Sequence, residues 1–87
     1  MSSYKVSVGN AKPVRARNFR DARSVVAAAI TDFTKRDPEA VARDAMTINE
    51  AFVSGAAEHS LTAHGKWSTT VTVNGQPVLL AIVKSRW

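Results

Sequence analysis

Cysteine is absent from these 87 residues, which removes both a disulfide framework and a thiolate metal site as ways of holding a small fold together. That absence also suits a reducing compartment. No apolar run approaches the roughly 20 residues of a bilayer-spanning helix; the longest are Val25 to Ile30 and Val78 to Val83. The opening residues, Met1-Ser2-Ser3-Tyr4-Lys5-Val6, lack the apolar stretch of a secretory signal. Together these absences predict a cytoplasmic chain with no membrane partner. Glycine is confined to positions 9, 55, 65 and 75, a spacing that matches no phosphate-cradling loop.

Catalytic groups are equally scarce. His59 and His64 are the only histidines, and a metal would need a third ligand that this spacing does not provide. They read as surface residues of a loop leaving a helix. No serine stands in a nucleophile-elbow context or beside a plausible base. Asp37 and Glu39 are explained by helix capping and the helix dipole, and Asp44 and Glu50 read as solvated helix positions. The sequence therefore predicts neither an enzyme nor a bound cofactor or metal.

What is present is enough to fold. With 45% hydrophobic and 22% charged residues, the composition is that of a globular domain, and the length has room for one core. Tyr4, Val6 and Val8 alternate with polar residues as in a half-buried strand, and Gly9-Asn10 offers a turn. A return strand is expected from about Lys12 to Arg17, at an edge because Pro13 cannot donate to a ladder. Asn18 is a candidate N-cap for a helix whose inner face holds Phe19, Ala22, Val25, Val26, Ala29, Ile30 and Phe33. Asp37-Pro38 ends that helix and starts another, with Val41, Ala42, Ala45, Ile48 and Phe52 inside. Thr47-Ile48-Asn49-Glu50 fits a capping box and offers a break. Gly55 and the polar Glu58-His59-Ser60 mark the end.

Asn74-Gly75 is the strongest local signal, because this dipeptide favours a two-residue type I′ hairpin. It sets Val73 opposite Gln76, Val71 opposite Val78, Thr69 opposite Leu80 and Trp67 opposite Ile82. One face then holds Trp67, Val71, Val73, Val78, Leu80 and Ile82. The other is polar on the first strand and apolar on the second, at Leu79, Ala81 and Val83. The expected fold is one α+β domain spanning residues 1–87, a four-stranded, mostly antiparallel sheet in the order ββααββ with two or three helices packed on one face.

Two candidate surfaces follow. Leu79, Ala81 and Val83 lie opposite the main core face and, with Trp87, form a candidate protein-binding patch that a second copy or a foreign partner would cover. Met46 and Val53, seven apart, are simplest to explain as part of a well-buried second helix. Charge is uneven: the net charge is +5, yet all seven acids fall between Asp21 and Glu58. Lys5, Lys12, Arg15, Arg17, Arg20 and Arg23 form a candidate polyanion-binding set, with Tyr4, Trp67 and Trp87 as the aromatics left to stack bases. Small size, an alanine-, valine- and arginine-rich composition and the lack of catalytic residues resemble, in a general way, the accessory proteins encoded by phages of GC-rich bacteria. No motif carries that resemblance. The functional expectation is a small non-catalytic protein-interaction factor that self-associates or binds another macromolecule, the alternative being nucleic-acid binding through the basic strands.

Overall fold

The computed structural model describes residues 2–86, with side chains from Ser3 to Ser85. The chain runs through β1 (Ser2–Val8), β2 (Val14–Ala16), α1 (Phe19–Arg36), α2 (Pro38–Val53), α3 (Ala56–His64), β3 (Lys66–Val73) and β4 (Gln76–Arg86). The four strands form one antiparallel sheet in the order β2-β1-β4-β3. All three helices lie between β2 and β3 in the chain and pack on one face.

The β3–β4 register is the one the turn dictates, Val73 opposite Gln76 through Trp67 opposite Ile82. Asn74 and Gly75 both take positive φ, 52° and 76°, as a type I′ turn requires at its two central positions. Side-chain alternation then puts Val6, Ala16, Val71, Val73, Leu80 and Ile82 under the helices, all buried. Against them pack Ala22, Val26 and Phe33 from α1, Val41, Ile48 and Phe52 from α2, and Ala57 and Leu61 from α3. Four aromatics tie the layers together. Tyr4 on β1, Phe19 on α1, Phe52 on α2 and Trp67 on β3 stand in a chain with ring-centroid distances of 6.4, 5.7 and 5.1 Å, in the tilted and edge-on geometries that aromatic quadrupoles favour.

Local signals at α1 are realised: the Asn18 side chain accepts from the Asp21 N–H at 2.8 Å, and the helix ends at Arg36 ahead of Pro38. Elsewhere the structure corrects the sequence reading. The return strand is shorter than Lys12 to Arg17, because only Val14–Ala16 pairs with β1. The helix does not break at Thr47; α2 runs on to Val53, and the chain turns at Gly55, whose φ of 83° suits glycine. Glu58-His59-Ser60 is helical rather than a loop, so both histidines sit on α3, exposed. Ala42 is exposed rather than inside.

The two sides of β4 give a direct check on this packing. Leu80→Ala is expected to lose about 2–5 kcal/mol of stability, the cost of emptying a fully buried leucine site, whereas Leu79→Ala should change it by less than about 0.5 kcal/mol. Urea unfolding followed by circular dichroism measures both. Equal losses would mean that the sheet buries the other face.

Candidate functional site

A sheet covered by helices on one side has a second face to account for. Cross-strand pairing puts Leu79, Ala81 and Val83 of β4 there, in line along a central strand, and no helix reaches them. Leu79 is 54% and Val83 45% exposed, and Ala81 is half-buried. Trp87, the fourth residue of this set, lies outside the described residues. Around the stripe the register supplies polar neighbours. Ser7 and Ser68 flank Ala81, and Thr70 lies opposite Leu79. Lys5 and Lys66 both lie opposite Val83, and Arg15 lies opposite Lys5. Arg15, Lys5, Val83 and Lys66 thus form one row across all four strands. No strand contains an acidic residue.

The six basic candidates do not converge. Lys5 and Arg15 share the open face, whereas Lys12 sits in the β1–β2 turn and Arg17 follows β2. Arg20 and Arg23 belong to α1, and the Arg23 guanidinium lies 5.8 Å from the centroid of the Phe52 ring, on the helical side. Lys66 was not in the set; only the β3–β4 register brings it into line with Lys5. Tyr4 and Trp67 belong to the aromatic chain under the helices, so neither offers a stacking surface on the open face.

α2 holds a second exposed surface. Met46 and Val53 are each 70% exposed, so this helix is not buried all round. At 100° per residue, Glu39, Arg43 and Glu50 share their side of the helix, opposite the buried Val41, Ile48 and Phe52.

Two acids have structural tasks that their sequence positions did not announce. In a two-residue hairpin closed by Val73 and Gln76, alternate β3 residues turn their main-chain groups away from β4. Thr72 is one of these, and its N–H donates to Asp44 Oδ2 of α2 at 2.8 Å. The Asn74 N–H donates to Asp37 Oδ2 at 2.9 Å. Asp37 therefore spends its carboxylate on the hairpin and makes no side-chain cap to α2, and Asp44 is not merely solvated. At the other end of the same edge, the Ser60 hydroxyl donates to the Lys66 carbonyl at 2.8 Å. Ser68 and Thr70 occupy the stretch between these fastenings.

Among the described residues no three metal-ligating side chains come together, and no helix is long and apolar enough to cross a membrane. No known protein family, curated protein or solved structure matches the chain.

Removing one edge fastening has a local readout. Asp44→Ala should speed amide hydrogen exchange at Thr72 and cost about 0.5–1.5 kcal/mol, the net worth of one such bond, with the Ser68 amide unchanged. Unaltered protection at Thr72 would show that the carboxylate does not hold that edge in solution.

Proposed function

We propose that this chain is a non-catalytic binding factor that works in the cytoplasm by seating a protein partner on its open sheet face. The observation that carries this reading is the uncovered stripe Leu79-Ala81-Val83 on the central strand. Apolar side chains in line on an open face gain by being removed from water, at about 25 cal/mol per Å² of apolar surface covered. A polar rim and an apolar centre are the ordinary anatomy of a protein interface. Here the rim is Ser7, Ser68 and Thr70 with the cations Lys5, Arg15 and Lys66, and it includes no acid. The matching partner surface has an apolar centre and an acidic border, since complementary charge fixes orientation and speeds encounter.

A second reading draws on the same cationic row, which would follow the phosphates of a nucleic acid. Three cross-strand steps of about 4.8 Å span roughly 14 Å, enough for a few phosphates. With Tyr4 and Trp67 committed to the other face, such binding would lack base stacking and rest on charge alone.

The two readings part under mutation and salt. Partner protein retained by the immobilised chain from an extract of its source organism should be lost with Leu79→Asp, because an aspartate there would be desolvated without a counter-charge, and amide exchange should slow at residues 79–83 of the complex. Retention that survives Leu79→Asp but vanishes with nuclease, with Lys5→Glu or as salt rises through a Debye length of about 10 Å would replace protein binding by nucleic-acid binding.

A further inference from the structure

A surface with an apolar centre and a net acidic border, of the kind called for above, exists on this molecule. α2 presents Met46 and Val53, each 70% exposed, and on the same side of the helix two acids, Glu39 and Glu50, against one cation, Arg43. It belongs to the helical layer, which faces away from the open side of the sheet. Resting on the protein-binding reading, we propose that the partner is a second copy of this chain, whose α2 lies on the open sheet face of the first and leaves its own open face ready for a third.

Two features argue for this occupant. Dimensions agree: Met46 and Val53 are separated by about 10 Å along the helix at 1.5 Å per residue, and Leu79 and Val83 by about 13 Å along the strand at 3.3 Å per residue. Charges agree as well. With Val53 over Val83, Glu50, one turn back on the same helix, lies next to Lys5 and Lys66, which flank Val83 in register. The contact joins two different patches, so it is heterologous and generates a ring or an open stack rather than a closed two-fold dimer.

Sedimentation velocity on the full chain tests this. The wild type should assemble with concentration beyond two chains, from a monomer of 9.4 kDa, and salt should weaken the assembly. Leu79→Asp, and separately Met46→Gln with Val53→Gln, should each weaken association about tenfold or more, the one by desolvating a charge and the other by removing apolar contact. Both should keep the wild-type circular dichroism spectrum, since all three positions are exposed. Mixed together, these two variants should give a species of twice the monomer mass and nothing larger, because each retains one intact patch. The charge pairing has its own check: Lys5→Glu with Lys66→Glu should weaken assembly, and Glu39→Lys with Glu50→Lys in the same chain should restore it. Assembly lost with Leu79→Asp but intact in the α2 variant would overturn the proposal in favour of sheet-to-sheet pairing. A wild type still monomeric at about 1 mM, where even a weak contact registers, would also overturn it. Partner protein still retained through Leu79 by that monomer would leave the protein-binding reading standing.

Discussion

β4 is paired along its whole length, with β3 from Gln76 to Val83 and with β1 from Leu80 to Arg86, so that it is flanked on both sides from Leu80 to Val83, and the rest of the architecture depends on that double pairing. A central strand loses water from its main chain on both edges, so its side chains can be apolar on both faces without exposing unpaired backbone. Leu80 and Ile82 seal the core while Leu79 and Val83 face outward. The connections decide which face is covered. Because every helix falls between β2 and β3 in the chain, one layer receives all three and the opposite face receives none. The exposed stripe is thus a product of topology acting on a strand that had to be central.

Charge is partitioned along the same division. Acids collect on and between the helices, where they serve first turns and solvated faces, and the strands take Lys, Arg, Ser and Thr, which keep pleated surfaces and edges wet. The molecule is consequently two-sided, with a helical layer holding every acid and a sheet holding none. Asp37 and Asp44 cross that division. By accepting the outward N–H groups of Asn74 and Thr72 they occupy part of the β3 edge that would otherwise be a template for another strand. Sideways extension of the sheet is hindered there, while its open face stays free.

How far the sequence could be read depended on the range of each interaction. Asn74-Gly75 and Asn18 act within a few residues, so the hairpin, its register and the α1 cap were all legible, as was the edge position of the strand after Pro13. The optional break at Thr47 was not realised, because a Ser/Thr-x-x-Glu pattern reads the same inside a helix as at its start and Thr47 lies inside, whereas the end of that helix near Gly55 was legible. α3 went unseen since only Ala57 and Leu61 of its residues are buried, too few to show a period. The stripe at Leu79, Ala81 and Val83 was visible as unexplained apolar residues; its flanking row was not, since Lys66 aligns with Lys5 only through β4. Asp37 and Asp44 looked ordinary because their partners lie 37 and 28 residues away, and Met46 and Val53 were assigned to the interior because a helix pattern says which residues share a side, not which sides are covered.

The pairing of Ser2 with Arg86 and of Val8 with Leu80 also sets a timetable. Closing a loop over nearly the whole chain is entropically costly and slows folding. During synthesis β1 must wait for β4, its main neighbour, which follows all three helices in the chain. Until then β1 has only the three residues of β2 beside it, and α1 and α2 can form their own contact without a sheet to rest on. β3 and β4, joined by a two-residue turn, zip together as soon as both are made. The native sheet therefore closes only after the three helices have been made, when the β3–β4 hairpin meets β1.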